Sequence, residues 1–430
     1  MTKSQRIEKE ITKTKEQLAT IQAKLKDLEE EKRMAERAEK LDIIGVTGTK
    51  GKTTTTHMIR AILLAAGKKV GMIGTTGTVI GDVVTPTLNT TPESYELHQA
   101  FAQMVEAGCE YAVMEVSSQG IKMHRTDGLY FNYAIFTNIS PDHIGPGEHA
   151  DFEEYLYYKT RLLNMCGIGL VNKDDKHAPQ IIKAANCELY TYSEESKEAD
   201  FVASDIRYVS QPDFVGTEFH ISGKYDMEVR LGIPGLFNVV NALAAVSVCS
   251  FLGLDQARIS HALENIRVNG RMEIVYTSER CTVLVDYAHN AVSMESLLST
   301  LRDYKPKRLV CVFGCGGNRS KDRRYSMGEI GGKMADLSII TADNSRYEKV
   351  EDIIADIRGS IEKTGGKFIE IPDRREAIRY SILHAQPGDM VAVIGKGHED
   401  YQEINGVRHH FLDREVIEEA VRELREKEQG

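Results

Sequence analysis

Apolar residues recur at two different periods along this chain, and the change of period divides it. Ile7, Ile11, Thr14, Leu18, Ile21, Leu25 and Leu28 alternate at spacings of four and three, with lysines and glutamates between them. That spacing predicts a coiled-coil heptad with Ile11, Leu18 and Leu25 at a, and Ile7, Thr14, Ile21 and Leu28 at d. A helix this polar buries its stripe only against another chain or against the body that follows, and the length of the seam favours a homo-oligomer through residues 7–28. After residue 41 the pattern becomes short apolar runs: 41–46, 69–73, 111–115, 133–138 and 168–172 read as buried strands, and 53–64 has helical spacing. Strands alternating with helices predict a parallel sheet flanked by helices. Residues 188–231 show shorter polar–apolar alternation, which predicts a small antiparallel insert. A second α/β unit starts near residue 269, with strands at 282–285, 308–313, 337–341 and 390–394. The predicted domains are therefore 1–41, 42–268 and 269–430. Ligands of open parallel sheets collect at the carboxyl ends of strands, which puts the expected active site in a cleft between the two α/β units, with residues 268–271 near the hinge.

At 430 residues the chain is long enough for more than one core. Its formal net charge of −10 gives no footprint for nucleic acid or for an anionic membrane. No apolar run reaches membrane-spanning length and the first residues are too charged for a signal peptide, so a cytoplasmic protein without nucleic-acid or membrane partners is expected. The seven cysteines are scattered without a CxxC pair, as reduced thiols would be.

The stretch GVTGTKGKTTT at residues 45–55 carries the strongest chemical signal. It places a glycine-rich turn, a lysine and a row of hydroxyls between a strand and a helix. Backbone N–H groups there point at an anion, Lys52 neutralises phosphate oxygens, and the Thr53 hydroxyl can ligate Mg²⁺. The common P-loop spacing would need glycine at position 46, which is Val46; the pattern is TGTxGKT instead. A turn that merely joined strand to helix would need neither lysine nor threonine.

TGTKGKTT resembles the ATP loop of the Mur ligases, ATP-dependent enzymes that join an amino acid to a carboxylate in peptidoglycan synthesis. The resemblance continues through NTTP (89–92), MEVSSQG (114–120), TNIS (137–140) with DH (142–143), GLFNVVN (235–241), GRME (270–273), DYAHN (286–290), FGCGGNR (313–319), DNSR (343–346) and GKGHEDYQ (395–402). The last three are similar to the MurE branch, which adds the third peptide residue. The resemblance implies an α/β fold: a P-loop-type parallel-sheet ATPase domain followed by a Rossmann-like C-terminal domain, here preceded by the coiled-coil-like helix. It also implies a uridine-nucleotide domain at the start, in whose place stand residues 1–41.

The remaining roles are those the resemblance implies. ATP is held by Gly48, Thr49, Gly51, Lys52, Thr53 and Thr54, with Asn241 at the adenine, Arg271 at phosphate and Asp286 at ribose or metal-bound water; His289 and Asn290 help close the site. Two Mg²⁺ ions are held by Thr53, Glu115, His143 and Lys159, the last as a carbamate formed with CO₂. Lys52, Glu115, His143 and Lys159 are the implied catalytic set. Thr90, Thr91, Ser117 and Arg125 meet the carboxylate acceptor, a muramoyl dipeptide. Arg319, Asn344, Arg346, Gly395 and Glu399 hold the amino acid, meso-diaminopimelate, because an arginine fork can bind its distal carboxylate through two parallel bonds. The chain departs from the family pattern at Ser345, where a proline is usual, at Gln119 in place of histidine, at Met123 in place of glutamine, and at Asn290 and Ala291 in place of threonine and proline. Two alternatives stay open: the same ligase chemistry on a carboxylate outside peptidoglycan, and a nucleotide-binding scaffold that recruits cell-wall enzymes through its coiled coil.

Overall fold

The computed structural model describes residues 3–142 and 144–429. Two compact units are present, one made of the chain up to Val202 with Ala244–Arg258, the other of Ala203–Leu243 with Ile259–Gly430.

The first unit starts with α1 (Lys3–Ala38), then β1 (Asp42–Thr47), α2 (Lys52–Ala65), β2 (Val70–Gly74) and the hairpin β3 (Gly77–Ile80) and β4 (Val83–Thr85). It continues with α3 (Ser94–Glu106), β5 (Tyr111–Glu115), the single turn α4 (Ser118–Lys122), β6 (Phe131–Phe136), α5 (Phe152–Thr160), β7 (Cys166–Asn172), α6 (Ala178–Ala184) and β8 (Glu188–Ser193). β1 lies between β5 and β6 and is parallel to both, with Val46 opposite Glu115 and Ile135. Five of its six residues are buried, as expected of a strand covered on both faces. Phe101, Met114, Phe131, Phe136, Tyr155 and Leu162 are among the side chains of the surrounding core. The carboxyl ends of β1, β5 and β6 therefore stand side by side, and the loops that leave them share one edge.

β9 (Phe201–Gln211) begins by pairing parallel with β8 and carries the chain into the second unit, where β10 (Phe214–Gly223) and β11 (Met227–Leu231) follow as an antiparallel pair. The helices α7 (Leu236–Phe251) and α8 (Gln256–Glu264) carry it out and back. Then come β12 (Glu273–Thr277), β13 (Cys281–Asp286), α9 (Ala291–Asp303), β14 (Arg308–Phe313), α10 (Asp322–Met334), β15 (Leu337–Ile340) and α11 (Val350–Thr364). β16 (Phe368–Glu370), α12 (Arg374–Leu383), β17 (Asp389–Ile394), the hairpin β18 (Tyr401–Ile404) and β19 (Val407–His410), and α13 (Asp413–Gln429) complete it. Its main sheet has the order β12-β13-β17-β14-β15-β16, in which only β12 runs antiparallel.

Beneath the carboxyl ends of this sheet lies a fully buried ion pair. Arg374 donates from Nε and Nη2 to the two carboxylate oxygens of Asp413 at 2.7 Å each, and from Nη1 and Nη2 to the carbonyls of Ala342 (3.2 Å) and Ile394 (3.0 Å). The bidentate geometry and the two carbonyls use the fork nearly completely, which is what a buried guanidinium requires.

Two details differ from the pattern-based expectation. Residues 188–193 run parallel to β7 rather than opening an antiparallel insert, because they continue the apolar register of the main sheet. The hairpins β3–β4 and β18–β19 were hidden by their shortness. The predicted coiled-coil segment is helical, and Leu18, Ile21, Leu25 and Leu28 are 52–63% exposed although α1 meets α3. The side chains of Ile7 and Ile11 lie outside the described residues.

Candidate active site

The loop after β1 is a backbone cradle. Gly48 stands at φ 146°, where a Cβ would lie 1.9 Å from Thr137 Oγ1, and Gly51 at φ 87° is the N-cap of α2. Both positions demand glycine, the first by contact and the second by its left-handed backbone. The loop leaving β6 braces this turn. Lys50 N–H donates to Asn138 Oδ1 at 2.9 Å, Asn138 Nδ2 donates to Lys50 O at 3.0 Å, and Thr49 N–H donates to Asn138 O at 2.9 Å. The Thr137 hydroxyl sits 2.6 Å from Lys50 O. Thr49 Oγ1 lies 3.1 Å from the Tyr155 hydroxyl and accepts from Ser140 N–H at 3.1 Å. Burial raises the Tyr155 pKa to about 12, so it stays a neutral phenol.

Lys52 Nζ donates to the carbonyls of Gly48 (2.9 Å) and Thr49 (3.1 Å). Lys159, on α5, donates to the same Gly48 carbonyl at 2.8 Å and is 2% exposed. Burial, and then the charge of Lys52, push the Lys159 amine well below the ordinary lysine range, against an opposing pull from Asp142. Its Nζ is 4.7 Å from the centre of the Tyr155 ring. Thr54 is buried in the same first turn.

Glu115 ends β5 and is 1% exposed. Its Oε1 accepts from the Thr53 hydroxyl (3.0 Å) and from Thr75 N–H (2.9 Å), and its Oε2 lies 3.3 Å from the Thr75 hydroxyl. Thr75 Oγ1 in turn is 3.2 Å from Thr90 Oγ1, so hydroxyls connect the start of α2 to the implied acceptor loop. A hydroxyl and one carboxylate, both hard oxygen donors, fit a Mg²⁺ ion that keeps the rest of its shell for water and phosphate. No group of three or more His, Cys, Asp or Glu suited to a metal comes together among the described residues. His143 lies outside them.

On the acceptor side, the buried Thr91 hydroxyl sits 3.1 Å from Ser117 Oγ and accepts from Ser117 N–H at 2.9 Å. Ser117 caps α4, accepting from Gly120 N–H. Arg125 donates to Thr91 O at 3.2 Å and pairs with Glu93 at 2.6 Å. Gln119 reaches Gly147 O at 3.5 Å and Met123 is exposed.

In the second unit three separate motifs converge. Arg346, at φ 50°, donates to Gly317 O at 2.7 Å, and Gly317 N–H donates to Asn344 O at 2.9 Å. Asn344 Nδ2 donates to Glu399 Oε2 at 3.0 Å, and Asn344 Oδ1 accepts from Glu403 N–H (2.9 Å) and from Lys396 Nζ (3.3 Å). Lys396 is fully buried and also 3.3 Å from Glu399. Arg319 is exposed beside this cluster, and Gly395, at φ 112°, leads the chain into it from β17. Asp286 accepts from Met272 N–H and Ala288 N–H, both at 2.8 Å, and burial pushes its carboxyl up. Arg271 lies 4.7 Å from the Tyr287 ring. Asn241 is buried on α7 and donates to Asn238. His289 packs on Tyr287, and Asn290 caps α9 with a reciprocal bond to Ser293.

Residue patterns gave no role to Thr75, Tyr155, Lys396 or Glu403. Lys396 and Glu403 lie within or beside the GKGHEDYQ run, so proximity was a usable signal; Thr75 and Tyr155 carry none.

A glycine cradle on a parallel sheet, a strand-end carboxylate beside its first threonine, and a second α/β sheet with basic loops define a nucleotide-dependent ligase class. The Mur ligase middle domain matches residues 46–249 and the Mur ligase, glutamate ligase domain matches residues 270–397. A domain of unknown function, DUF4315, matches residues 3–77. The chain belongs to the Mur ligase family, whose members use ATP and Mg²⁺ to form an amide bond. It is 40% identical over 390 residues to the UDP-N-acetylmuramoyl-L-alanyl-D-glutamate--2,6-diaminopimelate ligase of Caldanaerobacter subterraneus subsp. tengcongensis, covering 89% of this chain and 79% of that one. The ligase of the same name from Clostridium tetani is 41% identical over 390 residues, with 90% and 79% covered. A solved structure of a ligase of that name superposes with a TM-score of 0.71 at 34% identity, covering 90% of this chain and 79% of the other. A folylpolyglutamate synthase from Thermotoga maritima, 18% identical with a TM-score of 0.64 over 87% and 94% of the two chains, shares the fold.

Proposed function

We propose that this ligase joins meso-diaminopimelate to the terminal carboxylate of a UDP-linked muramoyl dipeptide in the cytoplasm, releasing ADP and phosphate. The observation that carries the amino-acid assignment is the convergence of Gly317, Asn344, Arg346 and Glu399 from three motifs on one spot. Relatives about 40% identical that bear the diaminopimelate ligase name support it. In domain terms the reading assigns 42–268 to nucleotide and acceptor and 269–430 to the amino acid, with α1 as an element of self-association.

The chemistry follows from charge. A carboxylate is a poor acylating group because oxide is a poor leaving group; ATP, when bound, supplies the phosphoryl group that turns it into an acyl phosphate. The chain must hold two anions close together and exclude water while it does so. In this reading Lys52 leaves the Gly48 and Thr49 carbonyls for phosphate oxygens, and the N–H groups of the cradle hold the rest. Thr53 and Glu115, with His143 and a carbamate on Lys159, would hold Mg²⁺, which neutralises the phosphates. Carbamate formation needs a neutral amine, and burial beside Lys52 shifts the Lys159 amine toward that form. Thr90, Thr91, Ser117 and Arg125 orient the acceptor. Asn241, Arg271 and Asp286 serve the nucleotide. Arg346 and Arg319 bind carboxylates of the incoming amino acid, while Asn344, Gly395 and Glu399 direct its amine.

Gln119 and Met123, which replace a histidine and a glutamine of the family pattern on the acceptor side, favour one second reading, in which the same chemistry acts on a different carboxylate. A product assay separates the two. Full-length protein with ATP and Mg²⁺ is offered UDP-muramoyl dipeptide or other carboxylates, each with diaminopimelate or lysine, and ADP and the new amide mass are measured. One ADP per diaminopimelyl amide on the muramoyl dipeptide is the expected result. AMP as the stoichiometric product overturns the mechanism, lysine used equally well overturns the pocket, and turnover only with another acid selects the second reading.

A further inference from the structure

Heptad positions fix more about α1 than that it associates. With Ile11, Leu18 and Leu25 at a, the g positions are Glu10, Gln17 and Lys24, and the e positions are Lys15, Gln22 and Glu29. In a parallel, in-register pair each g residue faces the e residue five positions further along the other helix. The three pairs are then Glu10 with Lys15, Gln17 with Gln22, and Lys24 with Glu29: two opposite-charge pairs and one pair of mutually bonding amides. Turning one helix round, with a layers against d layers, brings g against g and e against e. Glu10 then meets Glu31, Glu8 meets Glu29, and Lys24 meets only Gln17.

The helical backbone is continuous over Lys3–Ala38, and Leu18, Ile21, Leu25 and Leu28 are more than half exposed despite the contact of α1 with α3. Lys24 and Glu29 are exposed as well. The side chains of Glu10 and Glu31 lie outside the described residues, and enter by their sequence positions alone.

We propose that copies of this chain associate through α1 in a parallel, in-register arrangement in which Lys24 of one copy faces Glu29 of the other. The proposal rests on the self-association reading given above and adds its geometry. Parallel pairing puts both catalytic bodies at the same end of the paired helices, because each body follows its own helix at Leu41.

Charge reversal in full-length protein tests it, with dissociation constants from sedimentation equilibrium at low ionic strength, where exposed pairs are least screened. Lys24→Glu and Glu29→Lys should each weaken association about threefold or more, by converting attractive g–e pairs into repulsive ones. The double variant, with the pair inverted, should return to within about twofold of the parent. Equal helicity by circular dichroism in all variants keeps the readout on association. Tighter association of Glu29→Lys alone, which relieves the antiparallel contact with Glu8, or insensitivity to both single changes overturns the parallel geometry. A parent that stays monomeric at every accessible concentration removes the self-association reading itself.

Discussion

The two loop clusters of this ligase are built from different materials. Around Lys52 the partners are backbone carbonyls, backbone N–H groups, hydroxyls and one amide, and the turn is pinned by contacts such as Asn138 on Lys50. Around Arg346 the partners include ionised side chains: Glu399 and Glu403 lie within reach of Lys396 and Arg346. A backbone cradle recognises a shape common to every nucleotide polyphosphate, and it tolerates little change because its positions are steric. A side-chain cluster recognises a particular arrangement of charges, and each exchange of a residue retunes it. The first material suits the invariant co-substrate and the second suits the variable one.

Removing the cradle lysine that is proposed to meet phosphate should have the largest effect. Lys52→Ala should lower turnover by about 10³-fold or more while ATP binding, read by calorimetry, weakens far less, because the N–H groups remain. Normal turnover in that variant would reject the assignment. Next in size, the side-chain cluster should control choice rather than speed. The parent should favour diaminopimelate over lysine by about 10³-fold, and Arg346→Ala should reduce that ratio to about tenfold or less, since the distal carboxylate then has no fork to pair with. Competition between the two amino acids, read by product mass, measures it, and an unchanged ratio would remove Arg346 from the pocket.

The smallest effect concerns stability. Lys159 is held below its unfolded pKa, chiefly by burial, so between its folded pKa and about 10.5 the unfolded chain carries the extra proton. Its contribution to stability therefore rises with pH through that window and falls as the medium becomes more acid. Lys159→Met, which removes the titration, should raise Tm by a few degrees at neutral pH, with the gain shrinking as pH approaches 10. A gain independent of pH would mean that the amine is charged where it sits.

Much of this was legible in the residues themselves. The cradle could be read because TGTxGKT is a steric prescription: Gly48 and Gly51 occupy backbone angles that few other residues accept. The parallel strands could be read because their runs are apolar on both faces. The partners of Glu115 could not, since Thr75 lies forty positions away and nothing in its surroundings marks it. Lys396 was passed over for a related reason: a lysine inside a glycine-rich loop has no pattern that foretells complete burial against Asn344 and Glu399. Short hairpins escaped because a run of three or four residues is too brief for a period to declare itself.

The Arg374–Asp413 pair has a consequence for how this site can evolve. Buried pairs can often be exchanged for apolar residues of similar volume at little loss of stability. Here the same guanidinium also anchors the carbonyls of Ala342 and Ile394, the residues from which the chain enters the Asp343–Arg346 loop and the Gly395–Glu399 loop. An apolar exchange would remove that donor from both carbonyls, so the mutational path that keeps the fold marginally intact loosens the two loops proposed to hold the amino acid. Under the proposed function, substrate choice is tethered to a pair outside the pocket: joint exchange of Arg374 and Asp413 should broaden selectivity, whereas loss of Arg374 alone strands the buried Asp413 charge and costs stability first.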